Sequence, residues 1–289
     1  MRARKKLILA GVCVAVAAGA FWATRNTEPT YEGHKLSELV YSYSPYFSGD
    51  EAGRKRAGEA IAHLGTNAVP YFLDWIQYRE PRWRQRLRIA IENRFHKSIG
   101  AERAMRANLA AEAFRALGPA ADDAMAKLTS LANATNIIDS TFLAVTALAN
   151  SGRPKAVPPL LAALTNQNTV LRSVAASMMG LMGKTAQPAV PALITCLKDS
   201  DEDVVRGAIW SLREIKQEPE TVVPALVDAL NDPRPFVQRS ATMALRVYGA
   251  QARSAIPALL RALRDNNAEV RWRATNTIRA IEPDLLPVK

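Results

Sequence analysis

A chain of 289 residues with 48% hydrophobic and 22% charged residues has the apolar material for a folded body, and its two cysteines, Cys13 and Cys196, exclude a disulfide framework. Its formal net charge of +11 keeps acidic partners, anionic membranes and nucleic acid in view. Arg2, Arg4, Lys5 and Lys6 supply +4 of that excess, which leaves +7 for residues 24–289.

Those four cations precede an uncharged apolar run from Leu7 to Ala23, the pattern of an export signal. Ala18-Gly19-Ala20 offers a small-x-small cleavage site, whereas the length of the run and Trp22 near its end suit a retained membrane anchor. Residues 1–23 are expected to be a signal peptide or an anchor, with the anchor favoured. Positive-inside orientation then predicts a bacterial inner-membrane protein, single pass, with its body in the periplasm; cleavage would leave it soluble in the periplasm or secreted. The string LAGVC around Cys13 resembles a lipoprotein box, but Val12 stands where a small residue belongs.

Residues 24–50 read as a linker and an N-terminal cap, in which Tyr31, Tyr41, Tyr43, Tyr46 and Phe47 crowd together. KLSELV predicts a short helix that Ser44-Pro45 breaks. Arg54–Leu64 and the string from Val69 to Leu73 then have helical apolar spacing, and the pattern is lost between Gln77 and Glu112. From Arg79 to Arg106 there are nine Lys or Arg against three Glu, with Trp83 among Arg82, Arg84, Arg86 and Arg88. These five residues are either the rim of a solvated helix or an anion-binding patch for phospholipid head groups, acidic partners or nucleic acid. A membrane surface or an acidic partner suits an exported protein best.

From Met125 through Ile281 residues of the same type recur every 33 positions. Pro158, Pro191, Pro224 and Pro257 open the strings PPLLAAL, PALITCL, PALVDAL and PALLRAL, and proline suits the first turn of a helix because its missing N–H has no intrahelical partner there. Val190, Leu193, Ile194 and Leu197 lie on one face of this helix A. A second set, such as Val204, Ala208, Leu212 and Ile215, marks a helix B. Between them Asn133, Asn166, Asp199, Asp232 and Asp265 form a polar column suited to ending, turning or capping. One helix pair buries its apolar face poorly, so copies must stack into a solenoid.

Strings such as AVPALITCLKDSDEDVVRGAIWSLREI and AIPALLRALRDNNAEVRWRATNTIRAI resemble HEAT repeats, especially the short bacterial HEAT-like type. The resemblance implies an all-α fold, a right-handed α-solenoid of antiparallel helix pairs, over residues 51–289, irregular in 51–124 and regular in 125–283. It also implies B helices along a concave binding side, a scaffold role and no cofactor. Tetratricopeptide and ankyrin signatures are absent.

Partner-contact candidates lie on the B helices. Arg213, Arg246 and Arg279 recur at the 33-residue spacing, and Trp210 and Trp272 fall off the core columns. Arg206 and Arg239 are expected to pair with the inter-helix Asp199 and Asp232. Cys196 shares a column with Ala163, Ala229 and Ala262 and reads as a small packing residue. His34, His63 and His96 have no metal-ligand spacing, and phosphate-loop, dinucleotide and hydrolase-elbow strings are missing. The acidic group Asp199, Asp201, Glu202 and Asp203 lacks the glycine and distal glutamate of a calcium loop.

The expectation is therefore a non-enzymatic scaffold, binding no cofactor or metal, that holds a protein partner and contacts the membrane through residues 7–23. The alternatives are a nucleic-acid-binding HEAT-like protein or a DNA glycosylase using the basic patch, which the export signal opposes, and a bilin lyase, for which no suitably placed thiol exists.

Overall fold

The computed structural model describes residues 28–47, 50–77, 86, 89, 101–134 and 138–286. It opens with a short antiparallel pair, β1 (Thr30–Tyr31) and β2 (His34–Lys35), in which Tyr31 faces His34. Helix α1 (Leu36–Tyr43) follows and stops where Ser44 turns extended ahead of Pro45. It packs on both α2 (Glu51–Leu64) and α4 (Ala101–Ala113), closing the N-terminal end of the stack. Tyr31 lies 4.7 Å from the His63 ring and Tyr43 lies against Gly58, whereas Tyr46 and Phe47 face solvent.

Between α2 and α4 runs α3 (Val69–Gln77). The glycines that take positive φ after these two B-type helices, Gly65 and Gly118, are 53 positions apart, twenty more than the later period. The extra residues belong to the stretch after Gln77, where Arg86 and Ile89 are helical and exposed. Arg106, at the end of the basic stretch, turns back to the body: its guanidinium lies 5.3 Å from the Trp75 ring centre and 3.5 Å from Glu28.

The regular array follows as α5 (Met125–Ala132), α6 (Ile138–Ser151), α7 (Val157–Leu164), α8 (Thr169–Met178), α9 (Val190–Cys196), α10 (Glu202–Ile215), α11 (Pro219–Ala229), α12 (Pro235–Tyr248), α13 (Ile256–Ala262) and α14 (Ala268–Ile281). The fold is an all-α solenoid of helix pairs. Its core is one continuous apolar cluster from Leu36 to Ile281, to which the expected columns contribute, among them Leu160, Leu193, Leu226 and Leu259 from A helices and Val204, Val237, Leu245 and Ile278 from B helices. Each such side chain, fully buried, contributes about 1.5 to 3 kcal/mol, and one cluster running through all the units shows that the units share a core.

The polar column works as a set of turns. Asn166, Asp199, Asp232 and Asp265 each accept a hydrogen bond from the backbone N–H two residues on, at 2.7 to 2.9 Å. That turn delivers the N-cap itself in three units: Asn168, Asp201 and Asn267 accept from the first N–H groups of α8, α10 and α14. Pro158, Pro191 and Pro257 occupy the first turn of their helices. Pro224 does not, because α11 starts five residues earlier, at Pro219, and places it inside the helix.

The arginine ladder also differs from expectation. Asp199 is held by Arg172, with Nε at 2.9 Å and Nη2 at 3.1 Å, and Asp232 by Arg234 at 2.8 Å. Arg206 pairs instead with Asp203 in its own first turn. One residue along a helix is a rotation of about 100°, so Arg172 swings back over the loop where Arg206 and Arg239 point away.

Successive B helices, α4, α6, α8, α10, α12 and α14, pack along one another, whereas successive A helices touch at few points. Tighter packing on one side curves a stack toward it, so the B layer forms the concave face.

Candidate partner-binding face

Each B helix presents to the concavity the residues its core stripe leaves over. On α10 these are Arg206, Trp210, Arg213 and Glu214; on α12, Arg239, Met243, Arg246 and Val247; on α14, Trp272, Asn276 and Arg279. The repeat spacing sets Arg213, Arg246 and Arg279 at matching heights on adjacent helices, whose axes in such packings lie about 8 to 10 Å apart.

Neighbouring groups sort these candidates. Arg213 is spoken for: its Nε and Nη2 lie 2.9 and 2.6 Å from the Glu214 carboxylate. Trp210 is half-buried, its ring laid over Gly180 on the preceding unit, so it serves the stack. Arg246 and Arg279 are exposed and, among the described residues, have no carboxylate within ion-pair distance. Arg239 is likewise exposed and unneutralised. Its guanidinium adds to the effect of burial in pushing the pKa of Arg273 down. Trp272 is 63% exposed.

Met243 and Val247, 48% and 42% exposed, are site residues that the repeat columns did not single out. The signal was present in their position: both lie off the stripe of Val237, Ala241, Leu245 and Tyr248 that feeds the core, on the face that carries Arg239 and Arg246.

Of the basic stretch, Arg86 is helical and exposed, while Arg82, Trp83, Arg84 and Arg88 lie outside the described residues. The apolar run of residues 7–23 also lies outside them, and among the described residues no helix is long and apolar enough to cross a membrane. Among the described residues no three His, Cys, Asp or Glu side chains are grouped to hold a metal ion. The Cys196 thiol is buried, and burial followed by the nearby Asp199 charge pushes its pKa up, away from the reactive thiolate. A hollow among α11 to α14, lined by Leu230, Gln238, Thr242, Leu259 and Val270, measures about 30 Å³, room for no more than a few waters. A wider, open cleft on the A side is lined by Pro219, Glu220, Pro224, Gln251 and Ser254.

Family comparison agrees with this architecture. The model of HEAT repeats matches residues 157–246 and 223–287, and that of the PBS lyase HEAT-like repeat matches residues 143–166. The chain is a HEAT-like repeat protein. Curated protein sequences give no match. Among solved structures the HEAT-like array is similar to Kap121p bound to Pho4p, at 14% identity and a TM-score of 0.53, over 85% of this chain and 29% of that one. It is similar also to Kap95p, in a structure on how Kap95p binding switches the loops of RanGDP, at 12% identity and 0.52, over 85% of this chain and 36% of that one. At such identities the likeness is one of fold, and this chain spans about a third of either relative.

Proposed function

We propose that the chain is a non-enzymatic scaffold, exported and held at the membrane by residues 7–23, which binds a protein partner on the concave B-helix face. The observation that carries this reading is the cluster of unneutralised guanidinium groups of Arg239, Arg246 and Arg279 beside exposed Met243, Val247 and Trp272. Cations and large apolar side chains left without internal partners on an inward-curving surface suit a second protein, with arginine and tryptophan as the contact types that carry most binding energy. Kap121p, captured with Pho4p, shows a solenoid of this kind engaged with another protein. Export rests on the basic residues at 2–6 and the apolar run after them.

Two measurements test the reading. A photo-crosslinking residue at Asn276, on the concave side, should capture protein in intact cells, and one at Glu220, on the A side, should not; equal capture would remove the concave face from the proposal. Protease added to cells carrying a C-terminal tag should digest the array only once the outer barrier is opened, with the tag in the membrane fraction. Protection together with a cytoplasmic tag would overturn export and send the basic stretch from Arg82 to Arg106 to tests on nucleic acid.

A further inference from the structure

The chemistry of the face narrows what it can hold. Arg239, Met243 and Arg246 stand four and three residues apart along α12, and Trp272 and Arg279 seven apart along α14, so each set lies on one side of its helix. Two helical turns, about 11 Å, separate Arg239 from Arg246, and the α14 set runs alongside. The patch thus alternates charge and apolar surface over roughly the length of a short peptide.

Two features bear on the occupant. The acids nearby are taken, Glu269 by Arg273, Glu214 by Arg213 and Glu282 by Arg253, so among the described residues Arg239, Arg246 and Arg279 have no carboxylate within ion-pair distance. Bringing carboxylates to them forms charge-assisted bonds, and those bonds strengthen as Trp272 and Met243 are covered and water leaves. Exposed methionine and valine between the cations give a phosphate backbone nothing to pair with, whereas leucine or phenylalanine side chains find contacts there.

Resting on the scaffold reading above, we propose that the α12–α14 face binds an acidic peptide segment that carries apolar side chains, carboxylates on Arg239, Arg246 and Arg279 and an apolar or aromatic anchor on Trp272, Met243 and Val247. The segment belongs to the partner, and its two-part chemistry sets the specificity of the face.

The test uses the purified full-length chain, fluorescently labelled, on an array of twelve-residue peptides in which Asp/Glu content and Leu/Phe content vary independently. Binding should require both, with peptides rich in both at least tenfold above peptides rich in either alone. Trp272→Ala should lower binding to the best peptide about tenfold while leaving helicity intact. Arg246→Glu with Arg279→Glu should abolish it and shift preference toward Lys-containing peptides. Binding that follows acidity alone, or that survives Trp272→Ala, overturns the two-part site. So does stronger competition by duplex DNA or by phosphatidylglycerol vesicles than by the best peptide. The scaffold reading fails separately: capture from Asn276 in cells combined with indifferent peptide binding discards only the proposed chemistry, whereas loss of both discards the scaffold face itself.

Discussion

Trp210 lies across the backbone of Gly180. A Cβ placed on Gly180 would stand 2.7 Å from Trp210 Cε3 and 3.1 Å from the Ser211 Cα, so the end of α8 and the middle of α10 meet with no room for one methyl group. Beside this contact the Ser211 hydroxyl accepts from the Gly180 N–H at 2.8 Å and donates to the Ala176 carbonyl, so two B helices are joined by ring stacking and hydrogen bonds together.

Gly180→Ala is therefore expected to destabilise the array by about 1 to 3 kcal/mol, the usual cost of overpacking, even though alanine is the better helix former. Combining it with Trp210→Leu should recover part of the loss, a coupling of about 1 kcal/mol read from urea midpoints in a double-mutant cycle. A neutral Gly180→Ala would mean the ring does not sit there and would return Trp210 to the list of partner contacts.

In the turn after α4, Asp122 accepts from Arg153 Nε at 2.8 Å and meets Lys155 Nζ at 2.9 Å. The hydrogen bond from Arg153, then that from Lys155, holds its carboxyl at about 2, below the ordinary 3.8. A depressed folded-state value means that the contribution is complete above about pH 4 and disappears as pH falls through about 2. The thermal midpoint of the native chain should thus exceed that of Asp122→Asn at pH 5, and the gap should close by pH 2. A gap that stays constant across this range would show that the carboxylate charge contributes nothing.

A second polar pattern repeats with the helices and has one substitution in it. Six residues after the turn carbonyls of Asn166, Asp232 and Asp265 stand Arg172, Gln238 and Arg271, and each donates back to its carbonyl at 2.7 to 2.9 Å. The equivalent after Asp199 is Val205, fully buried and unable to donate. Arg234 of the following unit supplies the bond, its Nη1 3.2 Å from the Asp199 carbonyl, while it also grips Asp232. Arg234→Met should accordingly cost about 1 to 3 kcal/mol, since it strips the half-buried Asp232 carboxylate of its guanidinium, leaving only the backbone N–H of residue 234, and leaves the Asp199 carbonyl without its donor, and Arg271→Met, at the exposed end, under about 1 kcal/mol. Equal losses in denaturant titrations would refute the bridging role of Arg234.

The parts of the fold legible in the sequence are those fixed by spacing alone. The Leu column, the B-helix stripe, three of the four Pro positions and the Asn/Asp turns from Asn166 to Asp265 appear in the structure as the 33-residue period requires, and Pro224 alone of the prolines departs, because α11 starts early at Pro219. Assigning partners within that frame needed coordinates, because a one-residue shift turns a helical side chain by about 100° and decides whether an arginine reaches the loop. Arg172 does, Arg206 does not, and a column drawn through chemically equal residues could not separate them. Arg213 and Arg246 are likewise alike in sequence, yet only Arg213 is followed by a glutamate that neutralises it. The concave patch was half legible for the same reason: its cations repeat, whereas Met243, Val247 and Trp272 are particular to single units.

The turns after the B helices carry one further departure from the repeat. Gly183 and Gly249 follow α8 and α12 with φ near +52° to +55° and ψ near −133°, a region open almost only to glycine. The equivalent after α10 is Lys216, in a left-handed conformation at φ 48° and ψ 45°, with Glu218 left-handed as well, and the chain enters α11 directly at Pro219 instead of through a 3₁₀ turn. A side chain in the left-handed region costs roughly 1 to 2 kcal/mol, whereas glycine removes that cost and gives back part of the gain through a freer unfolded chain. Lys216→Gly is expected to raise stability by about 0.5 to 1 kcal/mol, with Lys216→Ala neutral or worse, because alanine meets the same clash. Gly249→Ala should cost more than 1 kcal/mol, since its ψ leaves a Cβ no relaxed alternative. Denaturant midpoints of the three variants, measured side by side, decide the matter: a destabilising Lys216→Gly would mean that the lysine stem contributes packing at this turn that outweighs its backbone strain.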